Sequence, residues 1–348
     1  MKRLTLDELC ARINGVVSKA AISKYENGKM EPSDEVKLAL AHALDVDVTY
    51  FERPFDDGIE KCEIDFRKKS SLPKSEEKAL TLTAREKVER YIEIRKILRN
   101  AGVEPQSEPL KKTLVRTRED ARSLASALRK KWGLDERPIL DAQSLLEKVG
   151  VMVIPIAARD EFDGMSATVT NVGEMFIVIN TSKAHVERRR LTTFHEYAHQ
   201  IMDMPDVEAR EKESLCHEFA SEMLLPTDVI RSKYEADLRQ LQKSFSLLKL
   251  RAVQMNYGIS IDAIVKKAAT LGFISKSKYT YYNIYKAENP SYQKAVEESV
   301  FQEWPHEYDC FSMKVLDALS RKLITPEKAK SLLHDADEIV RIDLDVLA

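Results

Sequence analysis

The segment F-H-E-Y-A-H-Q, residues 194–200, constrains this chain more than any other stretch of its 348 residues. His195 and His199 are four positions apart, so on a helix they leave one face about one turn apart. Two imidazoles at that spacing can hold one Zn²⁺, and Glu196 between them can take a proton from a water that the ion activates. Zinc supplies Lewis acidity and brings the pKa of water toward neutrality, the chemistry that peptide hydrolysis needs. The fold must therefore set this helix on a packed scaffold with one side open to a cleft. Leu191, Phe194, Ala198 and Ile201 supply the packed side, and His195, Glu196 and His199 lie beside it.

A catalytic zinc takes a third protein ligand and keeps one position open. Glu213, fourteen residues after His199, is the best-placed candidate. Met204-Pro205-Asp206 breaks the first helix and lets the chain return. Glu213 then shares a second helix with the apolar face Cys216, Phe219, Ala220 and Met223. Asp206, Glu208, Glu211 and Glu218 are competing carboxylates. His217 follows Glu213 by one turn, where it either orients a metal ligand through that ligand's outer ring nitrogen or serves as an ordinary helix histidine. His42, His185, His306 and His334 are isolated and read as ordinary histidines.

Hydrophobic residues make up 43% of the chain and charged residues 32%, a balance that describes a soluble, helix-rich protein of several domains. The four cysteines, at 10, 62, 216 and 310, form no C-x-x-C pair. That spacing disfavours a disulfide framework or a cysteine-zinc site and points to a reducing cytoplasm. The start, M-K-R-L-T-L-D-E-L, lacks the apolar core of a signal peptide. No apolar run reaches the length of a membrane span, so no membrane partner is expected. A net charge of −2 argues against a wholly basic nucleic-acid binder while leaving room for a local basic face.

The pattern along the chain predicts an α+β protein. Residues 1–53 read as three short helices packed as a helix-turn-helix: Thr5 caps the first, and Ser18 caps a second that stops at Gly28. Pro32 and Ser33 open the third, with the stripe Val36, Leu40, Ala43 and Leu44. Residues 54–114 hold the basic cluster Arg67, Lys68 and Lys69, a long charged helix from about Lys74 to Asn100, and a linker with Gly102, Pro105 and Pro109. Residues 115–275 mix helices with a strand at Val151–Ile156. Two further strands, F-D-G-M-S-A-T-V-T and E-M-F-I-V-I-N, are joined by the turn Asn171-Val172-Gly173. This region ends with the two metal-site helices and more helix. Residues 276–348 are tyrosine-rich and then mainly helical, with Thr325 capping a helix that has Pro326 at its first position.

These residues resemble the ImmA/IrrE family of zinc metallopeptidases, in the subgroup with an N-terminal Xre-type helix-turn-helix. The resemblance rests on I-S-K-Y-E-N-G-K-M-E-P-S (22–33), F-R-K-K-S-S-L (66–72), W-G-L-D-E-R-P-I (132–139), F-D-G-M-S (162–166) and I-V-I-N (177–180). It rests most specifically on R-L-T-T-F-H-E-Y-A-H (190–199) and E-S-L-C-H-E-F-A-S-E-M-L-L-P (213–226). It implies a zincin-like domain in which His195, His199 and Glu213 bind zinc and Glu196 is the general base. The usual H-E-L-G-H is here H-E-Y-A-H, with Ala198 still small enough for close helix packing. Such proteins cleave or inactivate transcriptional repressors. The resemblance thus implies a cytoplasmic endopeptidase whose protein substrate is a repressor of Xre type, in stress response or mobile-element control.

The N-terminal module departs further from that pattern. Only Met1 to Leu4 precede the first helix, where such domains usually carry an extra one, and the turn Asn14-Gly15-Val16-Val17 is long. Residues 1–53 hold eight Lys/Arg against nine Asp/Glu, which gives no strong electrostatic footprint. Lys19, Ala20, Ser23 and Lys24 occupy the start and outer face of the recognition helix, where DNA contacts would arise. The other reading of the module is docking or dimerisation, and a homodimer is compatible with it. For the whole chain the alternative is a DNA-binding transcription regulator or antitoxin-like protein with a structural or sensory zinc. Glu196 argues against it, since a structural site needs no base beside the metal. Substrate is expected to add as a strand along Glu174 to Asn180. Arg188 to Arg190, Tyr197 and the C-terminal tyrosines are the candidates for stabilising the oxyanion.

Overall fold

A computed structural model of the protein describes residues 4–44, 46, 48, 51, 73–104, 111–139, 141–159, 161–169, 174–182, 185–299 and 310–333. Arg67, Lys68, Lys69, the turn Asn171-Val172-Gly173, His306 and His334 lie outside the described residues. The architecture is α+β, mostly helical with two small sheets. Helices α1 (Leu6–Arg12), α2 (Lys19–Glu26) and α3 (Asp34–Leu44) precede the long α4 (Lys74–Asn100). Then come strand β1 (Thr113–Leu114), α5 (Arg118–Lys131), α6 (Ala142–Lys148), and strands β2 (Met152–Ile156), β3 (Gly164–Val169) and β4 (Glu174–Asn180). Helix α7 (Val186–Ile201), strand β5 (Met202–Asp203) and α8 (Ala209–Leu224) follow. The remainder is α9 (Thr227–Val229), a π-helical turn at Ile230–Tyr234, α10 (Glu235–Gln240), α11 (Leu247–Tyr257), α12 (Ile261–Thr270), α13 (Lys276–Glu288), α14 (Pro290–Glu297), α15 (Cys310–Ser320) and α16 (Pro326–Leu332).

The chain divides into two compact units, one from Met1–Glu60, Glu89–Glu104 and Phe311–Ala348, the other from Lys61–Val88 and Pro105–Cys310. In the first, α1 to α3 close over Leu9, Ile13, Ile22, Val36, Leu40 and Ala43. Thr5 and Glu8 form a reciprocal capping box at the start of α1, and the Ser18 hydroxyl accepts from Ala21 N at the start of α2. The turn between them passes through left-handed backbone at Asn14 (φ 52°) and Gly15 (φ 70°), conformations that Asn and Gly reach most cheaply.

In the second unit β2, β4 and β3 form one sheet in that order, with β2 parallel and β3 antiparallel to β4. Central β4 is buried along its whole length, which accounts for its unbroken apolar run instead of an alternation. This placement corrects the expectation that substrate pairs along Glu174 to Asn180. Both edges of β4 are already hydrogen-bonded to neighbours, while β3, among the described residues, pairs only with β4.

Helix α7 packs on β3 and β4, and α8 packs on α7 and α5. Close approach of β3 to α7 depends on Gly164, where a Cβ would stand 2.8 Å from Thr192 Cγ2 and 2.8 Å from Val178 O. Buried Arg129 at the end of α5 donates to the carbonyls of Asp135, Arg137 and Met223. The W-G-L-D-E-R-P-I segment is thus wrapped around a guanidinium, whose pKa burial pulls down to about 10, still charged at neutral pH.

Candidate metal centre

The apolar side of α7 is set as its spacing predicts: Phe194, Ala198 and Ile201 are buried and Leu191 is half-buried. That anchoring turns His195 and His199 inward, each only 4% exposed. On α8, Cys216, Phe219, Ala220 and Met223 are fully buried, which points Glu213 at the same place. The two Nε2 atoms stand 3.2 Å apart. Glu213 Oε2 lies 3.2 Å from His195 Nε2, and Oε1 lies 3.3 Å from His199 Nε2. A tetrahedral ion with bonds of about 2.0–2.1 Å holds its ligand atoms about 3.3 Å apart, so this donor set fits a metal the size of zinc. Among the described residues no other group of three His, Cys, Asp or Glu side chains gathers in this way.

The competing carboxylates go elsewhere. Asp206 faces Arg116 at 3.9 Å, Glu211 faces Arg118 at 3.9 Å, and Glu218 pairs with Arg122 at 3.3 Å. Glu208 is exposed at the N-cap of α8.

Two side chains stand behind the imidazoles. Cys216 Sγ is 3.4 Å from His199 Nδ1, on the ring edge away from the donor atoms. The His217 ring packs against that of His195, with centroids 4.3 Å apart and planes tilted by 44°. Glu196 is half-buried and borders a cleft of about 710 Å³ together with His195, His217, Gly164, Met165 and Tyr279. Its carboxylate Oε2 accepts from Ser166 Oγ of β3 at 3.1 Å.

Most of the oxyanion candidates are engaged in other tasks. Arg190 is buried and donates to the carbonyls of Ile139 and Tyr257. Gly258 (φ 59°) passes so close that a Cβ there would meet this guanidinium at 2.7 Å. Tyr197 is a core residue between Trp132 and Phe219, its hydroxyl pKa pushed up to about 12 by burial. Arg188 makes a two-pronged pair with Asp163 at 2.9 and 3.1 Å. Among the described residues, Arg188 and Tyr279 are the candidates that border the cleft.

Sequence reasoning named Cys216 only as a core residue and did not single out Ser166, Thr168 or Gln200. A usable signal was present: polar residues at i and i+2 on an otherwise apolar strand, and Gln200 one helical turn after Glu196. On the N-terminal module, Lys19 Nζ is held by Asp7 at 2.6 Å, and both groups are exposed. Ala20 and Lys24 are exposed and Ser23 is half-buried.

Fold and site together define a class: a protein with a helix-turn-helix module and a separate metallopeptidase domain built on a His-His-Glu cluster. Residues 1–51 match the family model for helix-turn-helix domains. Residues 146–268 match that of the IrrE N-terminal-like domain, and the metallopeptidase domain belongs to this family. No curated protein matches the chain. No helix among the described residues is long and apolar enough to cross a membrane.

Proposed function

We propose that the protein is a cytoplasmic zinc-dependent endopeptidase that cleaves a transcriptional repressor of Xre type, in stress response or mobile-element control. The observation that carries this reading is the cluster of His195, His199 and Glu213, whose His195 lines one open cleft together with Glu196. Zinc held by those three side chains would supply Lewis acidity and lower the pKa of water. Glu196 is the general base: its carboxylate takes the proton of the attacking water and passes it to the leaving amine. The substrate backbone pairs along the outer edge of β3, which begins with two cleft-lining residues, Gly164 and Met165. His217 steadies the His195 ring by packing against it. The helix-turn-helix brings the enzyme to DNA or to a DNA-bound repressor, with Lys19, Ala20, Ser23 and Lys24 as its contact residues.

A regulator with a structural zinc is the competing reading. A structural site is closed on all sides, whereas this one borders an open cleft with a carboxylate beside it. The deciding experiment co-expresses the protein with a Xre-type repressor and compares wild type with Glu196→Gln. The variant is expected to yield no fragments while keeping its zinc by elemental analysis. Full cleavage by the variant removes Glu196 from the mechanism, and lost zinc makes it a structural residue.

A further inference from the structure

We propose that Thr168, Gln200 and Ser166 form a directed hydrogen-bond chain that holds Glu196 in one orientation, with Ser166 as its positioning residue; this rests on Glu196 being the general base. Thr168 Oγ1 donates to Gln200 Oε1 at 3.2 Å, and Gln200 Nε2 stands 3.2 Å from Ser166 Oγ. An amide nitrogen only donates. The Ser166 oxygen is therefore the acceptor of that bond, and its own hydrogen must go elsewhere. The acceptors in reach are Glu196 O at 3.0 Å and Glu196 Oε2 at 3.1 Å. The main-chain oxygen lies inside α7, where it also serves the helix ladder. The carboxylate that serves as the general base is a charged acceptor in that role, and hydrogen bonds to charged acceptors are roughly twice as strong as neutral ones.

The arrangement follows from two periodicities meeting. Ser166 and Thr168 are at i and i+2 on one face of β3, while Glu196 and Gln200 are at i and i+4 on one face of α7. Gly164 lets the two elements approach closely enough for the pairs to interleave. Ser166 is only 7% exposed, so water competes little for its hydroxyl. A glutamate side chain alone samples several rotamers. Anchoring Oε2 selects one of them and leaves Oε1 for the proton transfer. Because Ser166 sits on the strand proposed to receive the substrate, the same element aligns peptide and base.

The test uses the zinc-loaded full chain and a fluorogenic peptide spanning the cleavage site mapped in the co-expressed repressor. Ser166→Ala is expected to lower kcat by roughly ten- to a hundredfold, the loss of one hydrogen bond to a charged group. KM, zinc content and Tm should stay near wild type, and Ser166→Thr should recover most of the rate. Gln200→Glu, at a half-buried position, offers Ser166 a competing carboxylate and should lower kcat in the same way. In crystal structures Glu196 should occupy one conformer in wild type and several in Ser166→Ala. Unchanged kcat in Ser166→Ala beside an inactive Glu196→Gln would overturn the chain while sparing the base. Lost zinc or a lowered Tm that accounts for the rate would reduce Ser166 to a structural residue. Full activity in Glu196→Gln overturns the base assignment itself, and the chain with it.

Discussion

Glu213 reaches the two imidazoles because of residues that never touch the metal site's open face. Phe219, Ala220 and Met223 bury one side of α8, and that rotation leaves Glu213 31% exposed beside His195 and His199. Glu208 and Glu211, five and two residues before it, are turned to solvent. Glu213→Ala is therefore expected to weaken zinc binding far more than Glu208→Ala or Glu211→Ala. Chelator competition on the three variants measures this, and wild-type affinity in Glu213→Ala would sink the ligand assignment. Cys216 poses a subtler case, since its thiol meets the outer nitrogen of His199. Removing such a partner typically costs ten- to a hundredfold in metal affinity, and Cys216→Ala is expected at the lower end, roughly tenfold. Cys216→Ser keeps a polar partner and should lie nearer wild type; identical affinities in all three proteins would make the cysteine a packing residue only.

At the scale of elements, the metal-site helix α8 is tied to α12 by one ion pair. Lys267 Nζ contacts Glu222 Oε2 at 2.6 Å, and neither side chain is more than 3% exposed. Thr227 N and Oγ1 donate to the same carboxylate at 2.8 and 2.6 Å. Breaking a buried pair from one side leaves an uncompensated charge, so Lys267→Met should cost about 3–5 kcal/mol in denaturant unfolding. The double variant Lys267→Met with Glu222→Leu should recover a large part of that loss. A single variant as stable as the double would contradict the argument. Burial outweighs the pull of Glu222 and holds the Lys267 pKa below its ordinary 10.5. The unfolded chain then binds this proton more tightly than the folded one. The lysine's contribution to stability consequently rises with pH up to about that ordinary value, a gain that Lys267→Met should lack.

At the scale of the whole molecule, the DNA contacts proposed for the N-terminal module rest on few charges. Its recognition helix offers few cations, and one of them, Lys19, is already paired with Asp7. An exposed pair of this kind is worth little and yields readily to phosphate. DNA binding is expected to be modest and steeply salt-dependent. Lys19→Ala with Lys24→Ala should remove about 2 from the slope of log K against log salt, one phosphate contact for each lysine. Titration of labelled upstream DNA at several salt concentrations is the measurement. Unchanged binding would move the interface elsewhere, for instance to Arg67, Lys68 and Lys69.

What the sequence determined by itself is whatever depends on neighbours within a few residues. The turn of helix that brings His195 and His199 to one face is of this kind, as are the caps at Thr5, Ser18 and Thr325 and the long helix from Lys74 to Asn100. Backbone geometry and side-chain-to-backbone hydrogen bonds decide these locally, and both can be read from spacing. Tertiary structure alone decided the order of the strands in the sheet, because that order follows from long-range pairing. It brought Glu213, the carboxylate that the sequence already favoured among five, against the imidazoles. It also spent Arg129 and Arg190 on carbonyls distant in sequence and brought Ser166 to Glu196 across thirty positions. The physical reason is common to all of these. A polar side chain's partner is chosen by which surfaces the core brings together, and that choice belongs to no single segment of the chain.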